Sequence, residues 1–393
     1  MRNTYRHLQV LATSALLASI SSSLAHAQDA QAAVDRLKQI VEEQGAVIVW
    51  DRVDVSGDSA VLVNTAIGSA DERMPFGDIT LNGISRVENG FRVEEMVTEP
   101  FSIGDETGSV QVEDTVVSGL LLPDEGNIDD FGGSVFYESA SVSNVSVTVE
   151  DTEIASLTNF WTEMTAPEDG EPMDYSGGAE QFYIDLSMIE DPNQKAVLQA
   201  LEYEELFGAF DFAGYWQPTD GRFALTEYNM SVEDAGTLGI MLDIGGYTPS
   251  FITSLRDLQM QMAANPDGDS SAQGLAVLGL MQQLSFHSAE ISFTDDSLTS
   301  KVLEFVASSQ GMSASDVANQ AKAVLPFMLG QLGNPELTMQ ATQAVTAYLD
   351  DPQVLRIKAA PPGPVAFALI MAGAMSAPAE LTKTLGVSVS AND

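Results

Sequence analysis

Apolar positions recur along this chain with two different periods, and the change of period separates its regions. Near the start, a helical spacing of apolar side chains predicts one short amphipathic helix, with Val34, Leu37, Ile40 and Val41 on its inner face. Gly45 follows them and is expected to end that helix. Beyond it the period becomes two, which is typical of half-buried β-strands.

The alternating region predicts a long antiparallel meander. One of its predicted strand faces holds Val61, Val63, Thr65 and Ile67. Asn89-Gly90 carries the sequence signal of a β-hairpin. Strands of this kind form a curved sheet, which can close towards an open barrel or leave a groove, and periodicity alone does not decide between them.

A loop, a helix and a turn are predicted towards the end of the strand-rich region. Residues 164–178, rich in proline, glycine and acids, are predicted to form a long exposed acidic loop. A helix is predicted after Asp191-Pro192, with inward side chains at Val197, Leu198, Leu201 and Leu206. Residues 233–236 have turn chemistry and are expected to join two further strands.

From Ser250 the chain is mainly helical. Five segments with helix start signals follow, and short strands are predicted at 286–295, 354–359 and 386–391. We therefore expect a strand-rich region over residues 28–249 and a helix-rich region over 250–393 that packs on the same sheet. The predicted fold class is α+β, because strands come first and helices later.

Residues 1–27 have the layout of a cleavable secretory signal, in which Arg2 and Arg6 precede an apolar run ending in small residues. Cleavage is predicted after Ala27, which would release a soluble periplasmic protein. The chain has no cysteine, so lipid attachment at a new N-terminal cysteine and disulfides are both excluded. The apolar run at 364–375 is far shorter than the roughly 20 residues of a membrane-spanning helix, so no transmembrane segment is predicted.

The net charge of the chain argues against nucleic acid as a partner and raises the question of whether cations bind. The formal net charge is −41, so direct binding to nucleic acid, which depends on cations that neutralise phosphates, is not expected. No lysine or arginine occurs between Val93 and Gln194. The carboxylates of region 93–194 are therefore expected to be solvated or neutralised by bound cations.

The sequence LPDEGNIDDFGG at 122–133 is the candidate calcium loop. It supplies five oxygen-bearing side chains: Asp124, Glu125, Asn127, Asp129 and Asp130. Calcium prefers roughly six to eight oxygen ligands on a loop that glycine allows to bend. The spacing is not that of an EF-hand, so a solvated acidic turn is the alternative. No other cofactor is predicted.

Candidate catalytic chemistry is sparse. One histidine, His287, remains after the predicted cleavage, and its place in a strand favours a structural role over that of a general base. No nucleophile-elbow, phosphate-loop or dinucleotide-binding motif occurs. A carboxylate-based hydrolase would need two carboxyl groups across a cleft lined by aromatic side chains.

Methionines and uncharged apolar helices crowd the last part of the chain, which is typical of adaptable apolar surfaces as well as of cores. The strands at 231–246 and the ending at 361–393 resemble those of uncharacterised exported proteins. The order of strands and then helices resembles that of YdgA-like and AsmA-like envelope proteins. The resemblance implies a sheet that accommodates lipid, although the chain lacks the membrane anchor of AsmA-like proteins.

Three functions follow as hypotheses. The first is a non-catalytic periplasmic envelope protein that binds a lipid, another hydrophobic ligand or an envelope protein. The second is a calcium-dependent structural or adhesive module that uses region 93–194. The third is a carboxylate-based hydrolase.

Overall fold

The computed structural model describes residues 26–69, 72–105, 107–126, 135–166, 171–264, 270–330 and 333–393. The chain forms two compact units, Met1–Asp151 and Thr152–Asp393. The described strands of both units pair in antiparallel ladders, and most of the described helices belong to the second unit. The predicted α+β class with a long antiparallel sheet is confirmed.

The first unit contains one described helix and a series of strands. They are α1 (26–43), β1 (Val47–Val49), β2 (Arg52–Ser56), β3 (Ser59–Gly68), β4 (Arg73–Val87), β5 (Gly90–Thr98), β6 (Phe101–Asp105), β7 (Gly108–Val112), β8 (Thr115–Pro123) and β9 (Ser139–Val149). β1 and β2 both pair with β3, which continues into the order β3-β4-β5-β8-β9. β6 and β7 pair with each other, and β7 also pairs with β9.

Helix α1 covers the apolar face of this first sheet. Val34, Leu37 and Ile40 are buried as the helical spacing predicted, and Gly45 follows with a positive φ of 83°. They pack against a strand cluster that includes Leu62 and Leu81. The amphipathic helix therefore closes the core of the first unit.

A bulge in β3 makes one predicted strand face only partly right, because Val63 and Thr65 are buried but Val61 and Ile67 are not. Before the bulge the fully buried residues are Ala60 and Leu62, the neighbours of the predicted Val61. The ladder with β4 shifts register between Leu62 and Thr65, where Asn64 has φ of 53°. An extra residue in one strand exchanges the two faces, so strict alternation could not follow it.

The second unit combines a longer sheet with helices. Its strands are β10 (Thr152–Met164), β11 (Met173–Asp185), β12 (Glu205–Gln217), β13 (Arg222–Val232), β14 (Gly236–Gly245), β15 (Ser285–Asp295), β16 (Val354–Ala359), β17 (Val365–Ala366) and β18 (Val387–Ala391). Its helices are α2 (Pro192–Leu201), α3 (Pro249–Ala264), α4 (Ser270–Met281), α5 (Leu298–Gln310), α6 (Ala314–Gly330), α7 (Pro335–Asp350), α8 (Phe367–Ser376) and α9 (Pro378–Thr384).

Neighbouring strands of the second unit pair in the order β10-β11-β12-β13-β14-β15-β16-β18, with β17 beside the start of β15. In the described part of this unit β10 and β18 form no ladder with each other, so its sheet is open. The hairpin at 233–236 is confirmed. No helix among the described residues is long and apolar enough to cross a membrane.

The predicted acidic loop at 164–178 is too long. Residues 173–178 belong to β11 and pair with β12. Gly177 and Gly178, which favour a loop by composition, instead provide room for the neighbouring strand, because an added Cβ on Gly177 would meet the Phe212 ring. Of the connection that remains, 167–170 lie outside the described residues.

One helix prediction is corrected at its C-terminal end. The helix after Asp191 ends at Leu201, where Glu202 takes a left-handed φ of 63°, and Leu206 lies in β12. Asp191 caps its start by accepting from the backbone N–H of Asn193 at 2.9 Å. Both ends of α2 are therefore fixed by local chemistry, and only the C-terminal end was missed.

Candidate functional site

Directly paired residues of neighbouring strands place their side chains on the same side of a sheet. In the second unit the strand pairings place one apolar residue from each of the strands β10–β16 and β18 in a single row. The resulting row is Phe160, Ala179, Phe210, Met230, Leu238, Phe293, Leu355 and Ala391. A neighbouring row on the same face contains Ile240, Ile291, Ile357 and Val389. We call this side of the sheet the apolar face.

The opposite side of the same sheet is polar. Its corresponding row contains Asp211, Asn229, Gly239, Ser292, Arg356 and Ser390. Glu290 on this side forms ion pairs with Arg356 at 2.7 Å and Lys358 at 3.2 Å. The two sides therefore differ in chemistry along their whole width.

Helices cover the apolar face near both ends of β15 but leave its middle open. At the start of β15 the Phe286 ring contacts Phe367 of α8, with ring centroids 6.5 Å apart. At its end the Asp295 carboxylate accepts from Tyr348 of α7 at 3.3 Å. Between these contacts Ile291 is 51% exposed. We call this uncovered strip, which crosses the strands, the apolar trough.

Ile357 on β16 extends the trough, since it pairs with Ile291 and is 47% exposed. Two exposed isoleucines side by side on a sheet are costly to solvate, because apolar area contributes roughly 25 cal/mol per Å² when it is removed from water. The trough is therefore a surface that a hydrophobic partner would stabilise.

Aromatic rings and glycines shape the trough over β11 and β12. Tyr175 pairs with Gly214, Phe212 with Gly177 and Phe182 with Gly208. An added Cβ on any of these glycines would lie within 2.5 Å of its partner's ring or hydroxyl. The rings therefore lie flat across the neighbouring strand, and the trough keeps a smooth aromatic floor.

Tyr175 is fixed within this floor. Its hydroxyl donates to the carbonyl of Ala224 at 3.0 Å, and its ring stacks on Phe223 with centroids 5.6 Å apart. Burial raises the pKa of Tyr175 to about 12. The hydroxyl therefore stays neutral over the physiological range, and the floor carries no charge there.

The first unit shows how the same chain closes a sheet face. There Leu62, Leu81 and Val93 are fully buried beneath α1. In the second unit most apolar-face residues of β10–β15 are only half-buried. The apolar face of the first sheet is therefore part of a closed core, whereas that of the second sheet is only partly covered.

Helices of the second unit add apolar surface outside the trough. Leu275 on α4, Phe327 on α6, and Leu369 and Met375 on α8 are each at least 65% exposed, with Met375 at 91%. A groove of about 570 Å³ lies between α6 and α7 and is lined mainly by proline, glycine, threonine and Met339. The crowded methionines are therefore not all core residues.

The structure places only part of the candidate calcium loop. Asp124 forms an ion pair with Arg86 of β4, with oxygen–nitrogen distances of 2.9 and 2.5 Å. Glu125 is exposed, whereas Asn127, Asp129 and Asp130 lie outside the described residues. No group of three or more potential metal ligands occurs within the described ranges. Calcium binding by this loop stays a prediction of the sequence.

Ion pairs do occur in the acidic stretch 93–194, which the local absence of cations made unexpected. Arg92 lies just before that stretch and binds Glu94 at 3.0 Å and Glu138 at 2.8 Å. Its hydrogen bonds hold the pKa of Glu138 below its ordinary value. Pairing of β5 with β8, together with the hydrogen bond from the Glu138 N–H to the Ser118 carbonyl of β8, brings these residues together, so local sequence could not show their neutralisation.

His287 lies on the polar side, near a hydrogen-bonded ion pair. Its Nε2 is 3.3 Å from the Ser285 hydroxyl. The neighbouring Asp243 carboxylate accepts from both Nε and Nη2 of Arg222. Because Arg222 engages both oxygens of Asp243, this aspartate does not complete a serine-histidine-aspartate relay. The structural role of His287 stays a prediction of the sequence.

Burial, followed by the positive charge of Arg222, lowers the pKa of His287 below 6.5. In the unfolded chain this imidazole protonates near pH 6.5, whereas in the folded chain it stays neutral to a lower pH. The contribution of His287 to stability is therefore present above pH 6.5 and is lost as pH falls through the folded pKa. We expect His287→Gln to reduce the loss of unfolding free energy between pH about 7.5 and about 5.5.

Urea unfolding of both proteins at the two pH values measures this difference, and an NMR titration of the imidazole gives the folded pKa directly. A folded pKa at or above 6.5 would contradict the expectation.

An open acidic depression of about 680 Å³ is the described feature nearest to the predicted hydrolase cleft. Its lining includes Glu180, Glu233, Asp295 and Asp296 but, among the described residues, no aromatic side chain. Asp295 accepts from the backbone N–H of Thr299 at 2.8 Å and so caps α5. The hydrolase hypothesis gains no support from this depression.

Comparison with protein-family models gives a match to the last part of the chain. A family model described as "Uncharacterized protein" matches residues 229–392. The matched segment contains both Ile291 and Ile357 of the trough and the whole of α8. A search of curated proteins found no match.

Proposed function

We propose that this protein is a non-catalytic envelope protein whose second unit binds a lipid or another elongated hydrophobic ligand in the apolar trough. The proposal rests on one observation: Ile291 and Ile357, which are paired on the apolar face, are both about half-exposed. The predicted export signal would bring such a binding protein to the compartment where envelope lipids move.

The dimensions of the face suit an acyl chain. Strands lie about 4.8 Å apart, so the row from β10 to β18 spans an arc of about 33 Å. An acyl chain extends about 15 Å, which is half of a bilayer's hydrocarbon core. The trough could therefore hold one complete chain with room beyond its end.

Chemistry within the trough favours the apolar part of a ligand over its head group. The residues of both apolar-face rows are uncharged, and Tyr175 remains neutral because its pKa is raised. A charged group placed here would lose hydration without gaining a partner. We infer that the acyl chain lies in the trough and that the polar head stays at the solvent.

Native mass spectrometry of the purified full chain tests the proposal. We expect a co-purified amphiphile, recovered by organic extraction and absent from a denatured sample. For delipidated protein, we expect saturable binding of a fluorescent fatty acid that unlabelled lysophospholipid displaces. A clean apo mass together with no saturable fatty-acid binding would exclude this function.

A further inference from the structure

α8 is apolar around its whole circumference, yet none of its residues is buried. A helix that is hydrophobic on every side normally lies inside a protein or in a lipid environment. Residues 274–281 of α4 are likewise uncharged and mainly apolar, none of them is buried, and α8 contacts α4. Together the exposed side chains of α4 and α8 form a surface, which we call the α4/α8 surface, marked by Leu275, Leu369 and Met375.

Charge distinguishes the possible occupants of this surface. No aspartate, glutamate, lysine or arginine occurs in residues 270–286 or 359–379, although the whole chain has a net charge of −41. An anionic membrane would repel such an acidic protein, and a second copy would bring two like-charged bodies together. A zwitterionic bilayer offers an apolar interior without either penalty.

The α4/α8 surface is also continuous with the trough. α8 follows β17 directly, and β17 pairs with the start of β15. Phe367, at the first turn of α8, contacts Phe286 on the apolar face. The contact between Phe367 and Phe286 therefore joins α8 to the apolar face at the start of β15.

We propose that the α4/α8 surface docks on a zwitterionic phospholipid bilayer, from which the trough receives its ligand. In this arrangement the two helices lie in the interfacial region, with Leu369 and Met375 among the acyl chains. The inference rests on the proposed function, because the bilayer is the source of the trough's ligand.

Flotation of the full chain with phosphatidylcholine vesicles tests the docking. We expect the wild type to float with these vesicles and to float less when phosphatidylglycerol is mixed in at low ionic strength. The double variant Leu369→Gln, Met375→Gln should lose about a hundredfold in vesicle partitioning, because two inserted apolar side chains are removed. Both positions are exposed, so unchanged thermal unfolding will show that the variant is folded.

Met241→Gln is the matched control, since Met241 is 45% exposed but lies on the polar side of the sheet. It should float as the wild type does. Equal flotation of the double variant and the wild type would overturn the proposal. Sedimentation provides a second check, because a wild-type dimer that the double variant abolishes would identify a self-association interface instead.

The experiments distinguish failure of the bilayer docking from failure of ligand binding in the trough. A wild-type chain that binds fluorescent fatty acid but does not float overturns the docking alone. A chain that floats but binds no fatty acid overturns the trough as the ligand site, and with it the transfer from bilayer to trough.

Discussion

Replacing Ile291 and Ile357 together by glutamine is expected to weaken fatty-acid binding about a hundredfold, because each apolar side chain contributes about 1.5 kcal/mol when a ligand covers it. Both residues are about half-exposed and pair directly across β15 and β16. Their replacement therefore removes apolar contact from the most exposed part of the trough on β15 and β16. Titration with a fluorescent fatty acid measures the change in the dissociation constant.

Met241→Gln provides the comparison for this prediction as well. Met241 belongs to β14 and is 45% exposed, but it pairs with Glu290 on the polar side. It should bind fatty acid with the wild-type dissociation constant. If the double trough variant bound as tightly as Met241→Gln, the open face would not be the binding site.

Replacing Ile40 by alanine is expected to lower the free energy of unfolding by about 2 to 5 kcal/mol, because a large side chain leaves a cavity in a packed core. Ile40 is fully buried where α1 meets the strand cluster of the first unit. Urea unfolding measures the loss, and hydrogen exchange should locate it in peptides of that unit.

Glu42→Ala is the control on the same helix, because Glu42 is exposed. Its effect should stay within about 0.5 kcal/mol, as for most surface substitutions. Equal stability of Ile40→Ala and the wild type would show that α1 does not close the core.

The two predictions concern two apolar sheet faces, one covered by a helix and one left partly open. Each unit forms an antiparallel sheet with one apolar side that must be covered. In the first unit α1 covers it and leaves Leu62 and Leu81 fully buried. In the second unit the described helices cover its ends and leave Ile291 in solvent. The difference is why we assign a structural role to the first face and a binding role to the second.

Errors in the sequence predictions have identifiable causes. The bulge at Asn64 changes the buried side of β3 part-way along the strand, because one inserted residue shifts the two-residue period. Gly177 favoured a loop by composition, whereas in β11 it accommodates the Phe212 ring of the next strand. Arg92 and Glu138 are far apart along the chain, so their ion pair depends on strand pairing. Each error concerns a contact between strands, which local pattern does not contain.

The sequence by itself determined the local elements of this protein. Helical spacing placed Val34, Leu37 and Ile40 on one buried face, and a change of period marked the strands and the later helices, because side-chain direction follows backbone geometry. Only the tertiary structure decided which strands are neighbours and how far each apolar face is covered. Register and coverage depend on residues distant in the chain, so the row that crosses β10 to β18, and the opening at Ile291, emerge only when the strands assemble.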